Sequence, residues 1–190
     1  MQTSQPMITQ VTTLNYASDQ QIADFLHSRL ERALKKSHDP IAIALPGGST
    51  PGPILQLLVR RPLDWSRISV FPTDDRDVPE DHGASNTGAL RALLEPQGAK
   101  LSPLRDGLIA PHFALVWLGM GADGHIASLF PSAQPDPVDP LNIRRLTPDP
   151  LPPEAPYDRV TLTIPALLNC DEMVFVWLEG KPSGLCLKTR

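Results

Sequence analysis

The segment Gly119-Met120-Gly121-Ala122-Asp123-Gly124-His125 holds the residue best suited to chemistry in this chain. Histidine has an unperturbed pKa near ~6.5, so His125 could take a proton from water and return it near neutral pH. A helix start expected at His125, beside glycines, would also offer N–H groups to a developing oxyanion. The plainer alternative is a histidine that only caps or fills the turn. A second polar segment is Thr73-Asp74-Asp75-Arg76, followed by Ser85-Asn86. Arg76 presents a fork of donors suited to phosphate or carboxylate. Asp74 could bind sugar hydroxyls or orient another group. Most charged loop residues are simply solvated, so mutual pairing at the surface stays open.

The third segment is Gly47-Gly48-Ser49-Thr50-Pro51. Gly47 and Gly48 let backbone approach a ligand closely, while the Ser49 and Thr50 hydroxyls and a helix N-terminus could cradle phosphate. The segment lacks the Gly-Lys-Ser/Thr of a Walker A loop and is not a GxGxxG fingerprint. An ordinary strand-to-helix turn would use the same residues. Other chemistries find little support. Asp-x-His is no metal template and His27, His38, His82 and His112 are scattered, so no metal site is expected. A serine nucleophile is not expected either, because no Gly-x-Ser-x-Gly elbow occurs.

The elements that must position these residues follow from apolar spacing. Ser18 and Gln21 form a capping box ahead of Ile22, Phe25, Leu26, Leu30, Ala33 and Leu34 at helical intervals. Residues 41–45 are wholly apolar, as for a strand buried on both faces. Ile54, Leu55, Leu57 and Leu58 suggest a helix, 68–71 a strand, and Leu90, Leu93 and Leu94 a short helix. Residues 113–118, 160–164 and 173–178 read as further strands, with a short helix at 166–168. Alternating strands and helices predict an α/β fold: three layers, a mostly parallel sheet with helices on both faces. In such folds ligands bind beyond the carboxyl ends of the strands. Each of the three polar segments follows a predicted strand, so all three should meet at one sheet edge.

Composition sets the frame. The chain has 190 residues, read as a single domain spanning 1–190, long enough to bury roughly 70% of its unfolded surface. A net charge of −4 argues against nucleic acid as a partner, though a pocket can be locally positive. Cys170 and Cys186 form no CxxC pair and suggest reduced thiols, hence a cytoplasmic location. No signal-like or membrane-spanning run is visible, so no membrane association is expected. Of 22 prolines, many fall within 131–156, which should be an extended surface loop flanked by parts of one sheet.

Taken together, PGGSTP at 46–51, the Asp64-Trp65-Ser66 lead into Phe71, Asp74-Asp75-Arg76, Ser85-Asn86, RVTLT at 159–163 and above all GMGADGHIASLFP at 119–131 resemble the 6-phosphogluconolactonase family. That family is similar in fold to sugar-phosphate deaminases and isomerases. Ser128-Leu129-Phe130-Pro131 and Arg76 resemble its lactonase branch. The resemblance implies hydrolysis of 6-phosphogluconolactone in the pentose phosphate pathway without a cofactor, by a monomer or homodimer. It implies His125 as base, Asp74 and Asp123 as supporting acids, and substrate or phosphate contacts from Ser49, Thr50 and Arg76, to which Gly47 and Gly48 of the same turn, Arg159, and Lys181, two residues off the family's register, are added as candidates. Departures are visible: Asp75 where the family usually has Glu, a shorter stretch (only Glu95 to Pro111) between the second and third segments, and Ser183 where the family often has a phosphate-binding lysine. A deaminase or isomerase on the same fold, or a non-catalytic sugar-phosphate binder, stays open at this point.

Overall fold

The computed structural model describes residues 10–15, 17–121, 123–153, 155–178 and 183–189. Its elements are β1 (Gln10–Asn15), α1 (Asp19–Lys36), β2 (Ile41–Leu45), α2 (Pro51–Leu58), β3 (Ile68–Pro72), β4 (Asp74–Arg76), α3 (Asn86–Leu94), β5 (Lys100–Leu101) and β6 (Leu115–Gly119). They continue with β7 (Ile143–Leu146), β8 (Arg159–Leu162), α4 (Ile164–Leu168), β9 (Glu172–Leu178) and β10 (Ser183–Thr189). The capping box closes as the sequence predicts. Ser18 Oγ accepts from Gln21 N, and Gln21 Oε1 accepts from Ser18 N, so two free helix-end N–H groups are satisfied.

Seven strands form the main sheet in the order β1-β10-β9-β6-β2-β3-β5. Its centre, β9-β6-β2-β3-β5, is parallel, while β10 pairs antiparallel with both β1 and β9. Side chains alternate across the strands, which explains why they are apolar throughout. Ile43, Leu45, Leu115 and Trp117 pack with Ile22, Leu26 and Leu30 of α1, Ile54 and Leu58 of α2, and Leu90 and Leu94 of α3. Ala44, Val116 and Leu118 pack on the other face with Phe71, Phe113, Leu162 and Ala166. Each fully buried Leu or Ile stabilises by about 1.5–3 kcal/mol relative to exposure. Among the described residues, no helix is long and apolar enough to cross a membrane.

Three expectations are corrected. The strand at 159–162 does not belong to the main sheet. With β4 and β7 it forms a separate antiparallel sheet, β4-β8-β7, packed on the second face beside α4. The proline-rich stretch is not all loop, since it contains β7 at the edge of that small sheet and a 3-10 turn at Pro131–Ala133. β7 itself, Ile-Arg-Arg-Leu, contains no proline, and Pro140 and Pro148 lie outside its ends. No helix starts at His125. Gly124 and Ala127 take positive φ (84° and 49°), and Ile126 pairs back onto Leu129, so the chain turns sharply before Pro131 instead of coiling.

Candidate active site

Strands β6, β2 and β3 are neighbours and parallel, so the chain leaves all three at the same edge. The register sets Leu45 of β2 beside Pro72 of β3. The segments beginning at Pro46, Thr73 and Gly119 therefore emerge together, as the sequence reading expects. Gly47 packs so closely on Asn86 that a Cβ there would collide with the amide. Gly48 adopts φ +102°, a conformation that favours glycine. Ser49 and Thr50 lead into α2, and among the described residues their hydroxyls have no intramolecular partner.

The acidic pair divides its labour. β4 alternates, so Asp75 turns inward while Asp74 and Arg76 stay half-buried. Buried Asp75 accepts from Arg76 N, Ser85 Oγ, Asn86 N and Thr87 N at 2.6–3.2 Å. It thereby satisfies the first free N–H groups of α3 and neutralises its positive end. Asn86 returns its side chain to β4, with Nδ2 donating to Asp74 O (2.9 Å) and Oδ1 accepting from Arg76 Nη1. Arg76 also donates to Ala84 O (3.3 Å).

Arg159 stands directly opposite Arg76 in the β4–β8 pair. It is buried and donates to the carbonyls of Tyr157 and Ala155. Burial and the nearby Arg76 charge hold its pKa below the usual arginine range. Neither arginine forms an ion pair among the described residues. Asp74 faces the third loop, where Ser128 Oγ donates to its Oδ2 at 2.5 Å and Thr73 Oγ1 to its Oδ1 at 3.3 Å. Burial pushes the Asp74 carboxyl up, against the lowering effect of the Ser128 bond and the Arg76 charge. Ser128 is itself buried, with its N–H on Thr161 Oγ1.

His125 lies three residues before Ser128. Its Nδ1 is 2.5 Å from Asp123 Oδ1, and its ring packs against Phe130 at 4.9 Å between centroids. Burial raises the Asp123 carboxyl, but its bonds with His125 outweigh that and leave it below the ordinary range. Gly121 N donates to His125 O and closes the loop, and a Cβ on Gly121 would strike the imidazole. The Asp123 contact fixes which nitrogen carries the ring proton. With Nδ1–H turned to the carboxylate, Nε2 is left as the acceptor.

A path of contacts thus joins all three segments: Gly47 on Asn86, Asn86 on Arg76 and Asp74, Asp74 on Ser128 of the His125 loop. Lys181 lies outside the described residues. The sequence reading gave no role to Asn86, Ser128 or Thr161, although Ser85-Asn86 after a polar stretch was the available signal. Among the described residues no three His, Cys, Asp or Glu cluster as metal ligands. A cavity of about 380 Å³ lined by Arg29, Arg32, His112 and Glu172 opens instead at the amino ends of the strands. There Glu172 already pairs with both arginines.

A sequence model described as glucosamine-6-phosphate isomerases/6-phosphogluconolactonase matches residues 16–105 and 99–182. The chain belongs to this family. It is 36% identical over 176 residues to the 6-phosphogluconolactonase of Pseudomonas aeruginosa, covering 80% of this chain and 72% of that protein. It is 35% identical over 167 residues to that of Helicobacter pylori, covering 78% and 70%. The crystal structure of a 6-phosphogluconolactonase from Shewanella baltica superimposes with a TM-score of 0.69 at 28% identity, covering 83% of this chain and 75% of that one. The chain thus stands among enzymes of the lactonase type, and the family's shared fold supplies the sheet edge at which the three segments meet.

Proposed function

We propose that this protein hydrolyses 6-phosphogluconolactone to 6-phosphogluconate, with His125 as general base. The observation that carries the reading is the 2.5 Å contact between His125 Nδ1 and Asp123, which commits Nε2 to accepting a proton. The names of the family relatives supply the substrate. In this mechanism the phosphate sits between Arg76, Arg159 and the Gly47–Gly48–Ser49–Thr50 turn, with Lys181 as a further contact. Nε2 takes a proton from water as the water oxygen bonds to the lactone carbonyl carbon. The carbonyl oxygen becomes an oxyanion, met by backbone N–H groups other than those of Gly121 and Gly124, which are bonded within their own loop. The intermediate collapses, the bond to the ring oxygen breaks, and that oxygen takes the proton back from Nε2. Asp74, held by burial toward its neutral form, binds the sugar hydroxyls. The steps balance without any group beyond substrate and water.

The test is turnover of freshly prepared 6-phosphogluconolactone with spontaneous hydrolysis subtracted. Wild-type protein should accelerate ring opening and release no ammonia from glucosamine-6-phosphate. His125→Ala should fold normally and lose about 10²–10⁴-fold in kcat. A folded His125→Ala protein with full activity, or ammonia release by the wild type, would overturn the reading.

A further inference from the structure

Several arginines of this protein pair with carboxylates, while Arg67 instead donates to the carbonyls of Leu34, Ser37 and Asp39. Arg61 pairs with Asp24, Arg91 with Glu80 and Glu95, Arg144 with Asp139, and Arg145 with Asp77 and Asp106. Like Arg67, Arg76 and Arg159 lack a carboxylate in contact among the described residues, and they alone of these face each other across paired strands. Arg76 and Arg159 are held only by neutral acceptors, the carbonyls of Ala84, Tyr157 and Ala155 and the side chain of Asn86. A buried guanidinium such as that of Arg159 favours an opposite charge beside it. A carboxylate is close at hand, but its oxygens are fully taken. Asp75 accepts from Arg76 N, Ser85 Oγ, Asn86 N and Thr87 N, and none of those bonds reaches a guanidinium.

Asn86 holds this arrangement together. It is 5% exposed, and each end of its amide has a partner, Oδ1 with Arg76 and Nδ2 with the Asp74 carbonyl. Its flank is filled by Gly47, where no side chain fits. The amide cannot rotate away without breaking both bonds or displacing the glycine turn. Asn86 therefore fixes the Arg76 fork in one direction and does so without neutralising it.

We propose that Asn86 is a specificity-determining residue: its neutral amide aims Arg76 and leaves Arg76 and Arg159 without a carboxylate in direct contact, so that the site demands a phosphorylated sugar acid or lactone. The inference rests on the lactonase reading for the identity of the sugar, but not for the demand for phosphate. Arg159 stands directly opposite Arg76 and is buried, so burial first and the facing Arg76 charge second disfavour its cation, and a dianion lying against both arginines would relieve that.

The decisive substitution is Asn86→Asp, which keeps size and places a carboxylate on Arg76. Binding of 6-phosphogluconate and of unphosphorylated gluconate is measured by calorimetry on wild type, Asn86→Asp and Asn86→Ala, with thermal unfolding as a check of folding. Asn86→Asp should weaken 6-phosphogluconate by about 10- to 100-fold, the range expected when one charge-assisted contact is lost. Gluconate binding should change far less, so the preference for phosphate collapses. Asn86→Ala, which frees Arg76 without neutralising it, should raise KM for the phosphorylated lactone more than it lowers kcat, and it carries the test if the Asp variant does not fold. Equal loss of both ligands, or wild-type discrimination in Asn86→Asp, would overturn the proposal. A wild-type protein whose affinity for 6-phosphogluconate depends on Asn86 yet which opens no lactone would sink the lactonase reading and leave this inference standing.

Discussion

At the scale of single residues, Asp74 and Asp75 show how neighbours of identical type acquire different work. Asp75 points inward and is saturated by four donors, whereas Asp74 points to the site and is raised by burial. The residue types were legible in the sequence, and so was the prospect of a site built on Arg76 and His125. The division between the two acids was not, because it depends on the inward and outward alternation of β4, a strand that the polar sequence hides. The raised pKa of Asp74 has a consequence for stability. In the unfolded chain this carboxyl ionises in the ordinary range, while in the folded protein burial favours the neutral form. The folded state therefore binds the extra proton, and stability falls as pH rises from the unfolded pKa through the higher folded one. Asp74→Asn cannot ionise and escapes that loss. Its melting temperature should exceed that of the wild type at neutral pH, with the gap closing as pH drops below 4. A gap that widens on acidification would mean that Asp74 is held as a carboxylate.

At the scale of elements, the long apolar patterns were read well because burial on both faces leaves no ambiguity. Strands β2, β3 and β6 and helices α1 to α3 fall where the spacing places them. The short elements escaped. β4 consists of Asp-Asp-Arg, which no apolar alternation betrays, and it exists because β8 offers it a partner and α3 needs Asp75 as its anchor. The turn after His125 was expected to coil, but the positive φ of Gly124 and Ala127 bends it back on itself. The link between β4 and α3 can be tested directly. Asp75→Ala would leave the Asn86 and Thr87 N–H groups buried without their acceptor, at a cost of about 3 kcal/mol. For a chain of this length that corresponds to a fall of roughly 6–12 °C in melting temperature. Asn86 would lose its backbone tether at the same time, so KM for the phosphorylated lactone should rise as well. An Asp75→Ala protein that melts like the wild type would show that α3 keeps its start by other means.

At the scale of the whole molecule, the sequence could say that three loops share an edge, because parallel strands leave no other choice. It could not say that β8 quits the main sheet. A buried run such as Val160-Thr161-Leu162 satisfies either sheet, and only the pairing with β4 and β7 decides. That choice matters to the site, since it carries Arg159 across from Arg76 and Thr161 beneath Ser128. The site is therefore built from both sheets, and a ligand that bridges them should tie them together. Binding to the folded state alone stabilises by RT ln(1 + [L]/Kd), about 2.7 kcal/mol at a hundredfold excess over Kd. In a protein of this size that is a rise of roughly 5–11 °C in melting temperature. 6-Phosphogluconate at such an excess should produce it, and gluconate at the same concentration should produce much less, since it offers the arginine pair no phosphate dianion. Arg76→Ala should lose most of the shift with 6-phosphogluconate while melting near the wild-type temperature when empty, because removing one of two facing cations relieves repulsion as it breaks the bond to Asn86. A full shift in Arg76→Ala would place the phosphate elsewhere on the molecule and detach the small sheet from the site.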